Sequence, residues 1–125
     1  MGAIRFLLLL AIATLLGCGA AHAEKRLALV IGNSAYKSVP RLTNPVHDAT
    51  VVAAMFKQAG FDEVTAKFDL NANEMRKALR DFGARARDVD VAVIYYAGHG
   101  MEEMDGNNYL IPTDAVLETD ADALD

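Results

Sequence analysis

Two stretches of this chain, Leu27–Ile31 and Val91–Ala97, carry no charged side chain and no polar–apolar alternation. Runs this short and this uniformly apolar read as β-strands covered on both faces, the pattern of a parallel sheet. Such strands need helices above and below them, and the sequence between the two runs supplies a pair. Asn44-Pro45 opens the first, with Asn as N-cap and Pro at the first helical position. Its apolar face is Ala49, Val52, Phe56 and Ala59, recurring at helical spacing, and Gly60 ends it. Glu63–Phe68 alternates and reads as a strand. Asn71 and Glu74 have the spacing of a capping box and start a second helix, with Met75, Leu79, Phe82 and Ala86 on its inner face. Val91–Ala97, apolar throughout, is expected to be a central strand. Asn107–Pro112 reads as one arm of a small hairpin.

The order strand–helix–strand–helix–strand predicts an α/β fold with right-handed crossovers and a mainly parallel sheet flanked by helices. In open parallel sheets the working groups gather beyond the carboxyl ends of the strands. That singles out the segment from Gly32 to Asn44 and the segment from Gly98 to Met104. No Gly-x-Gly-x-x-Gly follows the first strand and no Gly-Lys-Ser/Thr occurs, so nucleotide binding has no support. With 12 basic against 17 acidic residues and a formal charge of −5, the chain lacks the basic face that a nucleic-acid partner requires. The single cysteine rules out a disulfide framework and a four-cysteine zinc site.

Residues 1–23 read as a secretory signal. Arg5 gives the positive end, Phe6–Leu16 the apolar run, and Ala21-His22-Ala23 a small-x-small cleavage site. The run is shorter than the roughly 20 apolar residues that span a bilayer. Leu15-Leu16-Gly17-Cys18 also resembles a bacterial lipobox, which would anchor the chain to a membrane through a lipidated Cys18. Both readings make the protein exported, periplasmic or secreted in the first case and membrane-anchored in the second. Residues 24–125 are then one domain's worth of sequence at most, with no cysteine and an excess of acidic groups.

Tyr95-Tyr96-Ala97-Gly98-His99-Gly100 carries the most chemistry. A histidine between two glycines, just beyond a buried strand, is open to a ligand on two sides and can move protons near neutral pH. On position alone His99 is either a structural loop residue or a catalytic one. Leu27–Asn33, Leu42–Ala49, Tyr95–Gly100 and Asn108–Asp114 together resemble, in order and at compatible spacing, the N-terminal part of the caspase-like cysteine peptidases, especially bacterial relatives of the metacaspases. The resemblance implies a three-layer caspase-like fold, incomplete in this chain, and a Cys–His dyad acting on polypeptide substrates. His99 matches the dyad histidine, and Gly100 the glycine whose N–H helps hold the oxyanion.

Asp48 matches an acidic residue that receives the substrate's Arg or Lys; equally, an acid in a helix's first turn is favoured by the helix dipole alone. His47 reads as surface helix. The dyad cysteine would lie about 50 residues beyond the histidine, so it is expected downstream of Asp125, and this chain alone is expected to be inactive. The alternative is a non-catalytic caspase-like module that binds peptides or proteins. No metal site or cofactor is expected; some metacaspases bind calcium through aspartates, and Glu102, Glu103 and Asp105 lie just past His99, but without EF-hand spacing.

Overall fold

Leu27–Ile31 forms the middle of β1 (Arg26–Gly32), and its side chains divide by parity between two apolar layers. Leu27, Leu29 and Ile31 pack on one side with Leu70, Met75 and Phe82; Val30 packs on the other with Ala49 and Ala53. The first layer is covered by α2 (Ala72–Arg85), the second by α1 (Pro45–Gln58). The computed structural model describes residues 23–102 and 106–116. Residues 1–22, with Arg5 and Cys18, the acidic pair Glu103 and Asp105, and residues 117–125 lie outside the described residues.

β2 (Glu63–Phe68) and β3 (Val91–Ala97) flank β1 in the order β2-β1-β3, both parallel to it. Leu27 lies opposite Glu63 on one side and Ala92 on the other. The three-layer α/β arrangement follows the expectation, with one correction. Among the described residues the central strand is β1, and β3 is an edge strand. An apolar run reports cover above and below a strand, not neighbours on both sides. Tyr95 and Tyr96 pack against opposite layers, yet Ile94 remains 48% exposed. A short antiparallel hairpin, β4 (Gly100–Glu102) and β5 (Asn108–Leu110), follows β3 directly.

The helix ends show which local signals act as read. Asn71 and Glu74 make the capping box in full: the Glu74 N–H donates to Asn71 Oδ1 at 2.9 Å and the Asn71 N–H to Glu74 Oε2 at 3.0 Å. Gly60 takes φ +78° just past α1, where a side chain would be strained. Asn44 departs from expectation. Its backbone is already helical and its side chain makes no cap; it instead accepts the Thr43 hydroxyl at 3.2 Å. The Val46 N–H donates to Ser34 Oγ at 3.3 Å, so an orphan donor of α1 is satisfied from the loop after β1. On α1, Ala53 is buried and Ala59 exposed, a drift of the inward stripe relative to the reading.

The first turn of α1 sits directly on the carboxyl end of β1. A Cβ at Gly32 would stand 2.6 Å from the Pro45 carbonyl oxygen and 2.7 Å from Ala49 Cβ. Only a glycine lets backbone and helix approach this closely, and the contact brings the start of α1 to the same end of the sheet as the loops after β1 and β3.

Candidate functional site

β1 and β3 end side by side, with Gly32 opposite Ala97 and the Asn33 N–H donating to the Ala97 carbonyl at 2.8 Å. The two loops singled out in the sequence therefore leave the sheet as neighbours. Asn33 is fully buried and ties the loops together. Its Oδ1 accepts the Leu70 N–H at 2.9 Å, and its Nδ2 donates to the Ile111 carbonyl at 3.4 Å, with Met75 Sδ also at 3.4 Å. Asp69, just past β2, holds the same loop. Its carboxylate accepts the N–H groups of Ser34 and Ala35, both at 2.8 Å, from a backbone at φ 52°. Asp tolerates this left-handed conformation better than most residues.

On this platform the segment after Asn33 carries Tyr36 and Pro40 to His99. His99 Nε2 lies 2.7 Å from the Pro40 carbonyl oxygen. A carbonyl can only accept, so Nε2 carries the hydrogen and Nδ1 keeps the lone pair in the neutral ring. Nδ1 has no hydrogen-bond partner among the described residues. The imidazole is thus fixed in the tautomer that leaves one basic nitrogen open beyond the sheet. The Tyr36 ring meets the imidazole edge-on, with centroids 4.6 Å apart and planes at 63°.

The His99 main chain is held as firmly. Its N–H donates to the Tyr36 hydroxyl at 2.8 Å, and its carbonyl accepts the Ile111 N–H at 3.1 Å. The Tyr36 and Tyr96 hydroxyls lie 3.0 Å apart, and both reach the Ile111 carbonyl, at 3.2 and 2.8 Å. Tyr96 also stands 2.9 Å from the His99 carbonyl. Burial, reinforced by the Tyr36 hydroxyl, pushes the Tyr96 phenol far above its ordinary value, so it stays protonated and able to donate. Gly98 makes the cluster possible. A Cβ there would fall 2.4 Å from the Tyr96 hydroxyl and 2.5 Å from that of Tyr36.

Gly100 stands opposite Leu110. The Ile111 N–H to His99 carbonyl bond makes the preceding rung the hydrogen-bonded one, so the rung at Gly100 is non-hydrogen-bonded and its N–H points away from β5. Gly100 itself is not crowded, since an added Cβ would find only the Tyr109 carbonyl oxygen, at 3.5 Å. Asp48 lies exposed in the first turn of α1, at the carboxyl end of the sheet, and its carboxylate makes no hydrogen bond or ion pair among the described residues. His47 is exposed beside it, as read.

His99, the outward N–H of Gly100 and the start of α1 thus occupy one end of the sheet. Sequence reasoning passed over Asn33, Tyr36, Pro40 and Tyr96. Only Tyr96 had a visible signal, as a tyrosine whose hydroxyl would need a partner in an apolar run.

A family profile described as "Caspase domain" matches residues 25–123. The chain is 36% identical over 93 residues to the human mucosa-associated lymphoid tissue lymphoma translocation protein 1, and 34% identical over 93 residues to its Mus musculus homolog. Each alignment covers 74% of this chain and 11% of the relative, so the chain spans only about a tenth of the length of these proteins. With the profile matched from Lys25 onward and both relatives aligned over most of the sequence, this chain belongs to the caspase-like peptidase family and corresponds to the N-terminal part of its domain.

Proposed function

We propose that this chain supplies the acid–base histidine and part of the substrate pocket of an exported cysteine endopeptidase that cleaves after Arg or Lys. One observation carries the reading: His99 stands beyond the carboxyl end of the sheet with Nε2 bonded to the Pro40 carbonyl and Nδ1 open. The only cysteine of the chain is Cys18, in the signal segment, so the nucleophile is a cysteine encoded beyond residue 125. In the reaction, the thiolate adds to the scissile carbonyl. The His99 imidazolium then gives its Nδ1 proton to the leaving amine as the C–N bond breaks. The neutral imidazole next takes a proton from water, which releases the acid and restores the thiolate. The outward Gly100 N–H is suited to hold the oxyanion.

Asp48 supports the choice of a basic side chain, because an exposed carboxylate without a protein partner at this end of the sheet is free to accept one. A charge-assisted hydrogen bond of that kind contributes about 1.5–3 kcal/mol, or roughly 10- to 150-fold in kcat/KM. The test uses the full-length gene product and fluorogenic peptides ending in Arg, Lys, Asp and Ala. His99→Ala should abolish turnover, and Asp48→Ala should depress cleavage after Arg and Lys by the stated factor with thermal stability nearly unchanged. Turnover that survives His99→Ala, or a native preference for Asp, refutes the proposal. Export rests on the Arg5, Phe6–Leu16 and Ala21-His22-Ala23 pattern, and N-terminal sequencing of the mature protein tests it.

A further inference from the structure

In an antiparallel hairpin, residues facing each other in a hydrogen-bonded rung exchange two N–H to carbonyl bonds. His99 and Ile111 form such a rung at the base of the β4–β5 hairpin, but only one of the two bonds is direct: the Ile111 N–H reaches the His99 carbonyl at 3.1 Å. The other is interrupted by a side chain. The His99 N–H donates to the Tyr36 hydroxyl at 2.8 Å, and that hydroxyl in turn lies 3.2 Å from the Ile111 carbonyl and 3.0 Å from the Tyr96 hydroxyl. Tyr36 is 3% exposed, and its ring lies edge-on to the imidazole it serves.

We infer that Tyr36 is a positioning residue for His99. Its hydroxyl is inserted into the first rung of the hairpin, where it sets the main chain of His99 at the height from which Nε2 reaches the Pro40 carbonyl. The inference rests on the proposed acid–base role of His99. The insertion has a geometric purpose. Because the other bond of the rung is already closed at 3.1 Å, a direct bond between the His99 N–H and the Ile111 carbonyl would turn the His99 amide in toward β5. That would carry the imidazole away from Pro40, whose carbonyl belongs to the same loop as Tyr36. The loop therefore fixes both ends of the histidine, its N–H through Tyr36 and its ring nitrogen through Pro40. Gly98 leaves the space in which the hydroxyl sits.

Tyr36→Phe keeps the ring and removes the hydroxyl. In the full-length gene product it should lower kcat about 10- to 100-fold, the penalty of a displacement of about 1 Å in a catalytic group, with KM unchanged. Imidazole ¹⁵N shifts, assigned through His99→Gln, should pass from a pure Nε2–H tautomer to a mixture. A purely structural tyrosine would lower the melting temperature and leave both the tautomer and kcat of the folded enzyme as they were, and that result overturns the inference. If Tyr36→Phe does not fold, hydrogen exchange on the unaltered protein decides. Strong protection of the His99 amide supports the inserted bond, and exchange at the rate of a free amide overturns it. Should His99→Ala remain active, the acid–base reading fails on its own, while the tautomer and exchange results still judge what holds the histidine.

Discussion

Gly98→Ala places one methyl group where the structure has no room for it. The new Cβ would lie 2.4 Å from the Tyr96 hydroxyl, 2.5 Å from the Tyr36 hydroxyl and 2.7 Å from Tyr96 Cζ. Neither tyrosine can swing clear at no expense, because their hydroxyls are bonded to the His99 N–H and the Ile111 carbonyl. Overpacking of this kind costs about 1–3 kcal/mol, and leaving one buried donor or acceptor unsatisfied adds about 1–3 kcal/mol. The stiffer unfolded chain returns about 0.4–1 kcal/mol. The expected net loss is about 1–5.6 kcal/mol, which at about 4–8 °C per kcal/mol lowers the melting temperature by at least about 4 °C. Gly100→Ala is the internal control. The added Cβ meets only the Tyr109 carbonyl oxygen at 3.5 Å, an ordinary contact, so stability should change by less than about 0.5 kcal/mol. Urea unfolding of the three proteins, followed by circular dichroism, makes the comparison. If the two glycines prove equally tolerant, or if Gly98→Ala loses less than about 0.5 kcal/mol, the hydroxyl cluster is not the packed object described above.

Two further outcomes follow from the same end of the sheet. Because burial raises the Tyr96 phenol above its ordinary value near 10, its contribution to stability is fully present below about pH 10 and is lost as the pH climbs further. A urea midpoint followed from about pH 8 to about pH 12 should fall more steeply in the native protein than in Tyr96→Phe, and parallel curves would contradict this. Asp69→Ala should destabilise by about 2 kcal/mol, because it removes the acceptor of two N–H groups and puts alanine at φ 52°. Asp69→Asn keeps an acceptor oxygen and tolerates that φ, so it should lose less than about 1 kcal/mol in the same melts; an equal loss for both would refute the account.

What the sequence announces and what it conceals divide along physical lines. The runs of β1 and β3, the Asn71–Glu74 box and the Gly60 stop are local: each is encoded within a few residues of where it acts, and each is found as read. The loops carrying the site were also legible, since a parallel sheet gathers its strand ends at one side. Strand order was not, because facial burial is blind to lateral pairing. Nor was the cap of α1, since the oxygen that acts belongs to Ser34, 12 positions before its partner Val46. The support of His99 lay furthest from view. Tyr36 is 63 positions away in sequence and Pro40 acts through its backbone, which any residue possesses.

The placement of β1 also has a consequence in time. Arg26 pairs with Val91, 65 positions later. At a synthesis rate of about 5–20 residues per second, that partner appears about 3–13 s after β1 itself. The most deeply buried strand among the described residues is therefore made before its partners and left waiting with both edges open, and even its other neighbour, β2, must close a loop of 36 residues to reach it. Pairing of such range is slow and leaves the nascent chain open to association with other chains. A lower temperature during expression, or a holding chaperone that shelters Leu27–Ile31 until Val91–Ala97 has emerged, should raise the soluble yield without altering the folded state.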